Sequence, residues 1–293
     1  MKIKVRLTTF ARNDSDLLNR LTTRYNSGSV YWKDIEFVSD DSYDKLVIFT
    51  YPHKTTLESG YNESKAITFM TEPTLSYYAK SHPTSEVINA HLPLPFFPKE
   101  IFGETSYGGN GDKIEKVNLL SCVTSELWGM PGHNARLQFI SSLDKAIDGG
   151  IDIYGRFIKG KFFNLLSQYK GSLSDKYEGL WSYYYHFACE NSFENGYFTE
   201  KLLDPIIAET LCFYDGCPDI ENYIDNRAYV KISVHDFEES FHTICESVNN
   251  NLWEERLPYI RKEKLRFLTE LHPFNFIWMA VNEMDVLSKV KIN

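Results

Sequence analysis

The sequence predicts an α/β protein built from two doubly wound domains. Three observations carry the prediction. Apolar runs of strand length alternate with stretches of helical spacing, the alternation falls into two blocks, and a stretch rich in Pro and Gly separates them. Several of the strands are near-continuous apolar runs, as in sheets covered on both faces.

In the first block, residues 3–8 alternate charged and apolar side chains and read as a strand. Residues 15–25 have helical spacing through Leu17, Leu18 and Leu21. Residues 32–38 read as a short strand, 44–50 as a stronger and buried one, and 66–70 as a third that ends at Thr71-Glu72-Pro73. Three prolines, Pro93, Pro95 and Pro98, keep residues 91–98 from forming a central strand. Residues 107–112 read as a flexible connector, so the domain boundary is expected at 113/114.

The second block opens with a strand at 116–124 and a helix at 134–147, with Leu137, Ile140, Leu143 and Ile147 on one face. A strand at 151–157, a helix at 174–181 and an aromatic strand at 183–188 follow. A helix carrying Leu202 to Ala208, with Pro205 expected to kink it, leads to strands at 211–214 and 228–232. From Asp236 to about Lys289 the spacing is helical, interrupted at Pro258 and at His272-Pro273. The expected domains are 1–113 and 114–270, with a C-terminal helix in 271–293 that packs back on the first. Ligands of such folds lie at the carboxyl ends of strands, here in the cleft between the blocks.

Composition narrows the function. A net charge of −9 argues against a general nucleic-acid binder. The five cysteines are odd in number and widely spaced, which reads as reduced thiols rather than disulfides or a zinc site. The first residues form a strand rather than a signal peptide, and no apolar run is long enough to span a membrane, so a cytoplasmic protein is expected. A dinucleotide-binding glycine fingerprint, a phosphate-binding Walker loop and a nucleophile elbow are all missing from the sequence.

The most informative stretch is 189–201, between the aromatic strand and a helix start. A polar, Gly-containing loop entering a helix is how α/β proteins build anion sites, because free N–H groups and the positive end of the helix dipole meet there. Thr199 is placed to be the N-cap, with Glu200 and Lys201 in the first turn. The stretch has two readings at this point, a capped helix start and a nucleotide-diphosphate site. Arg136, near a helix start where a cation opposes the dipole, reads either as a surface residue or as a grip on phosphate. Glu72, just past a buried strand, is either a general base or the start of a loop. At Tyr154-Gly155-Arg156 the glycine either admits a ligand to the backbone or serves packing. His186 reads as a core residue, and Asp40, Asp41 and Asp44 as a solvated loop.

Together these segments resemble the C-terminal signature of the family 10 glycosyltransferases, the α1,3/1,4-fucosyltransferases. The resemblance rests on Glu190-Asn191-Ser192, Gly196-Tyr197, Thr199-Glu200-Lys201 and Gly216-Cys217-Pro218, with Ile151 to Arg156, Arg136 and Phe69 to Pro73 upstream. It covers residues ~116–235 most closely. Cys189 stands where the family has Phe, Glu72 is followed directly by Pro73 where the family usually has a residue between, and Phe193 to Asn195 is a variable insert. The resemblance implies a GT-B fold of two facing Rossmann-like domains with C-terminal helices, the first on the acceptor side and the second holding the donor. It implies inverting transfer of fucose from GDP-fucose to a glycan hydroxyl, with Glu72 as base and Arg136, Tyr154, Glu190, Asn191, Tyr197, Thr199, Glu200 and Lys201 on the donor. No cofactor is required in that scheme, and dependence on a divalent metal stays open. The alternatives are another nucleotide sugar, such as GDP-mannose or a UDP-sugar, and a nucleotide-sugar-binding pseudoenzyme. The expected partners are the nucleotide sugar and a glycan acceptor.

Overall fold

The computed structural model describes residues 2–80, 87–97, 115–147, 149–156 and 160–292. The expected connector at 107–112 and the 113/114 boundary lie outside these residues. The chain divides into two compact units, one of residues 1–102 with 268–291, the other of 103–267 with 292–293.

The first unit runs β1 (Ile3–Thr9), α1 (Asp14–Asn26), β2 (Tyr31–Trp32), β3 (Ile35–Val38), β4 (Lys45–Phe49), α2 (Lys54–Ser59), β5 (Ala66–Met70), α3 (Tyr77–Lys80) and β6 (Val87–His91). Its sheet has the order β2-β3-β1-β4-β5-β6. All neighbouring pairs are parallel except β2 with β3. The expected single strand at 32–38 is a hairpin instead, because Lys33 turns the chain in the left-handed region at φ 52°. Val5, Leu7, Leu46, Val47, Ile48 and Phe69 are buried strand residues, in keeping with a doubly covered sheet. Helix α2 escapes the sequence reading because it is six residues long with a single buried residue, Thr56.

The second unit runs β7 (Asn118–Ser125), α4 (Pro131–Ala146), β8 (Asp152–Arg156), β9 (Tyr169–Gly171), β10 (Tyr183–Cys189), α5 (Glu200–Ile207), β11 (Leu211–Asp215), β12 (Tyr229–Lys231), α6 (Phe237–Asn249) and α7 (Leu252–Leu268). Its sheet is parallel throughout, in the order β12-β11-β10-β7-β8-β9. Counted from β7, this is the doubly wound order of dinucleotide-binding folds, whose switch point lies between the first and fourth strands, here β7 and β10. The core gathers on β10 and β11, where Tyr185, Phe187, Leu211, Cys212, Phe213 and Tyr214 are all buried.

Three sequence expectations change. Helix α4 starts at Pro131, three residues early, because proline at the first helical position has no N–H to leave unpaired. The expected helix at 174–181 is one 3₁₀ turn, Lys176–Gly179, capped by Asp175. Helix α7 runs through Pro258, and the chain breaks instead at Asn251, where φ is 50°. The strand expected at 151–157 is β8, and its residue 157 lies outside the described residues. Helices α8 (Pro273–Val281) and α9 (Val286–Val290) belong to the first unit. There Trp278 Nε1 donates to Asp34 Oδ1 at 2.6 Å, and the His272 ring, just ahead of α8, stacks on Trp32 at 4.4 Å.

Phe187 is fully buried in β10, with its ring stacked on Phe139 of α4 at 4.9 Å. Phe187→Ala is expected to cost about 3–5 kcal/mol of stability in urea unfolding. A loss of about 1 kcal/mol or less would contradict its place in the core.

Candidate functional site

At the switch point of the second sheet, β10 ends at Cys189 and the chain enters a loop that leads to α5. Glu190, the first residue of that loop, has no exposed surface. Its carboxylate accepts from the Thr199 N–H at 2.8 Å, from Thr199 Oγ1 at 2.8 Å to Oε2, and from the Tyr214 hydroxyl at 3.3 Å. Lys201 Nζ lies 3.3 Å from Oε2. A buried carboxylate is costly unless paired and hydrogen-bonded, and these groups meet that cost.

The neighbouring glycines are fixed by this packing. A Cβ on Gly216 would fall 2.3 Å from Glu190 Cγ, and one on Gly132 would fall 2.0 Å from the Glu190 carbonyl oxygen. Only glycine lets β11's end and the first turn of α4 approach the loop so closely. The Gly132 N–H donates to the Asn191 carbonyl at 3.1 Å, which ties α4 to the same loop.

Thr199 is the N-cap of α5, and its Oγ1 accepts from the Lys201 N–H at 3.3 Å. One hydroxyl thus caps the helix and holds Glu190. Lys201 Nζ also donates to Thr199 Oγ1 at 3.2 Å and to Glu200 Oε1 at 3.4 Å. Burial works against both charged side chains. Even so, Glu200 and Glu190 hold the Lys201 ammonium above the usual lysine range. Lys201 and Lys176 likewise draw the Glu200 carboxyl down to about 2.

Arg136 lies more than a turn inside α4 rather than at its start, and it is 4% exposed. Its Nη1 donates to the Cys189 carbonyl at 3.3 Å and to Asn191 Oδ1 at 3.4 Å, both long for a guanidinium. Its Nε is buried with no hydrogen-bond partner. A narrow pocket between β7, β10 and α5 is lined by Arg136, Lys176 and Lys201, with Val123, Cys189 and His186. Burial, and then the charges of Arg136 and Lys201, lower nearby His133 to about 4, so it is neutral at pH 7. Burial lowers His186 to about 3. It is the core histidine that the sequence suggests, paired with Ser121 Oγ at 2.8 Å.

The structure thus brings together Arg136, Glu190, Asn191, Thr199, Glu200 and Lys201. Tyr154 is not among them, since its hydroxyl pairs with the Tyr183 hydroxyl at 2.8 Å and Tyr183 donates to Asp152. Gly155 serves packing, because a Cβ there would lie 2.2 Å from the Phe163 ring. Tyr197 is buried in the loop, with its N–H on the Glu194 carbonyl at 3.1 Å. Glu72 is in the other unit, part-exposed and two residues beyond β5. Sequence reasoning missed Lys176, whose Nζ meets the buried Asp204 at 2.7 Å, because nothing local links residue 176 to α5. Of the acidic trio, Asp41 pairs with Arg6 at 2.6 Å and Asp44 accepts the Lys4 N–H at 2.9 Å. Among the described residues, no group of three or more His, Cys, Asp or Glu could hold a metal ion, and no helix is long and apolar enough to cross a membrane.

Residues 115–256 match the family model described as glycosyltransferase family 10 (fucosyltransferase) C-terminal. No curated protein matches the chain. Among solved structures, an α1,3-fucosyltransferase with GDP-fucose is 15% identical over 87% of this chain and 81% of that one, with a TM-score of 0.52. A glycosyltransferase from Rickettsia africae is 11% identical over 96% and 99%, with a TM-score of 0.53. The lipopolysaccharide outer core galactosyltransferase WaaB in its apo form is 10% identical over 97% and 100%, also at 0.53. At these identities the structural likeness establishes the fold, which is GT-B. Residues 115–256, just under half of the chain, are thus similar to a glycosyltransferase family 10 domain, and the chain is a glycosyltransferase.

Glu190→Ala is expected to destabilise the protein by about 3–5 kcal/mol, because Lys201 loses a buried partner. Urea unfolding with an unchanged midpoint would contradict that role. The pH dependence has a sign. Glu200 is depressed below its ordinary 4.5, so its contribution is present above pH 4.5 and is lost as pH falls toward 2. Glu200→Gln should therefore flatten the loss of stability across that window.

Proposed function

We propose that this glycosyltransferase transfers fucose from GDP-fucose to a hydroxyl of a glycan acceptor with inversion at the anomeric carbon. The observation that carries the reading is Arg136, a buried guanidinium with long hydrogen bonds and an unpartnered Nε, lining one pocket with Lys176 and Lys201. A planar cation held this way suits a diphosphate, which offers paired acceptor oxygens. The N-terminus of α5 adds free N–H groups at the same strand ends. The family 10 match supports the donor class.

In this reading the acceptor hydroxyl oxygen attacks C1 of fucose on the face opposite the diphosphate. Its proton passes to the Glu72 carboxylate, the new C1–O bond forms, and the old C1–O bond breaks with its electron pair leaving on GDP. Arg136 and Lys201 stabilise the charge that develops on the departing diphosphate, the part a divalent metal plays in other transferases. Asn191 orients Arg136, Glu190 and Thr199 hold Lys201, and Glu200 meets donor hydroxyls, while the buried Tyr197 supports the loop from inside. Tyr154 supports β8 behind the donor rather than touching it.

A transfer assay with labelled GDP-fucose and an oligosaccharide panel tests the reading. Arg136→Ala and Lys201→Ala are each expected to lower kcat by about 10²–10³. Glu72→Gln should lower kcat by about 10²–10⁴ while GDP-fucose binding is unchanged. Full kcat in Glu72→Gln would remove Glu72 as the base. A product whose anomeric configuration by NMR matches the donor's would remove the single displacement.

A further inference from the structure

The first unit repeats, at its own switch point, an arrangement that the donor chemistry does not use. In its sheet β1, β4 and β5 are adjacent and parallel, and the strand order reverses between β1 and β4. Each of the three strands runs into aromatic residues at its carboxyl end. Phe10 follows β1, Tyr51 lies two residues past β4, and Tyr77 and Tyr78 follow β5 beyond Glu72. The rings meet. Phe10 stacks on Tyr78 at 3.8 Å with 16° between planes, Tyr51 lies 5.8 Å from Tyr78, and Tyr77 meets Tyr78 edge-on at 5.3 Å. The group faces water, with Tyr77 77% exposed, Leu75 51% and Tyr78 36%.

We infer that this aromatic shelf is the binding site for a saccharide ring of the acceptor, with Tyr77 as its principal contact. The inference rests on the glycosyl-transfer reading above and supplies the residues that would select the acceptor. Three arguments support it. First, ligands of doubly wound sheets bind at the carboxyl ends of strands beside the switch point, and Phe10 and Tyr51 flank that point. Secondly, the chemistry of the surface suits a sugar. A pyranose has one apolar C–H face and a rim of hydroxyls, and a tyrosine offers an apolar ring face and one hydroxyl at its edge. Three of the four rings are tyrosines, and Thr50 and Thr71, the residues just before Tyr51 and Glu72, pair through their hydroxyls at 2.9 Å. Thirdly, the patch is small. An aromatic side chain has about 150–250 Å² to bury, so these partly exposed groups offer a few hundred Å². A stable protein partner needs about 800 Å² on each side, whereas one or two sugar rings need no more than the shelf provides. Glu72 leaves β5 on the same side of the sheet, five residues before Tyr77, so a sugar on the shelf has its hydroxyls at the strand ends that carry the carboxylate.

The test uses the full chain on an array of printed oligosaccharides ending in galactose, glucose or N-acetylglucosamine. Saturation-transfer NMR on the bound glycans reads which ring protons contact the protein. Wild type is expected to bind a subset, with saturation concentrated on the C–H face of one ring. Tyr77→Ala and Tyr78→Ala should each weaken that binding by about tenfold or more, and Tyr77→Phe should keep most of it. Far-UV circular dichroism should show both variants folded, and a lower melting temperature is expected for Tyr78→Ala, which loses its stack on Phe10. Calorimetry with GDP separates this inference from the reading it rests on. Glycan binding with no GDP binding would overturn the donor assignment and leave the shelf standing. GDP binding with no glycan bound, or glycan binding unchanged in the Tyr77→Ala, Tyr78→Ala double variant, would overturn the shelf. Self-association of wild type that the double variant loses, without glycan binding, would also overturn it and make the patch an interface between copies.

Discussion

The buried carboxylate of Glu190 sets the arrangement of the second unit's strand ends. It is fully enclosed, by four residues from two parts of the chain. Thr199 gives it a backbone N–H and a hydroxyl, Tyr214 reaches it from β11, Lys201 brings the opposite charge, and Gly216 leaves room for its stem. An unpaired carboxylate at this depth would be very costly, so the loop from β10 to α5 has little freedom to adopt another course. The helix start is fixed with it, because the hydroxyl that caps α5 is the one that binds Glu190. Lys201 is then held on the pocket side of the helix. Arg136 is held from the other direction by the Cys189 carbonyl and by Asn191, the residues on either side of Glu190. A change at Glu190 therefore reaches both cations without Glu190 touching a ligand.

The two units solve the same topological problem with different chemistry. Each sheet reverses strand order between its first strand and the strand that follows the first crossovers, β1 with β4 in one and β7 with β10 in the other. At the second reversal the chain places cations and a helix N-terminus. At the first it places aromatic rings and, beside them, one carboxylate. Cations suit a leaving diphosphate, whereas rings and a carboxylate suit a sugar whose hydroxyl must lose a proton.

Much of the fold was legible in the sequence, because strands in covered parallel sheets are apolar throughout and helices mark themselves by spacing. The match of 66–70 to β5 and of Thr199 to the N-cap followed from such local rules. What was not legible came from beyond the local window. The hairpin at Lys33 depends on one backbone angle, and the helix continues past Pro258 although the proline removes one N–H from it. Within the site, the spacing of Glu190, Thr199 and Lys201 was visible, but not that Glu190 is buried and acts on its neighbours. The loop reads as ligand-facing in sequence, and only the approach of Gly216 and Tyr214 from β11 shows that it turns inward. Lys176 and the aromatic shelf had no sequence signal at all, since their members meet only when strands far apart in the chain come together.

The central claim is that Glu190 and Thr199 hold Lys201, and with it Arg136, as a site for a nucleoside diphosphate. Isothermal titration of GDP and UDP into the full-length protein tests it most directly, on wild type, Lys201→Ala and a Glu190→Gln variant checked to be folded. The account predicts one GDP site per chain with UDP much weaker, binding lost in Lys201→Ala, and binding weakened in Glu190→Gln although no Glu190 atom is exposed. GDP affinity unchanged in Lys201→Ala, or no GDP binding by wild type, would contradict it.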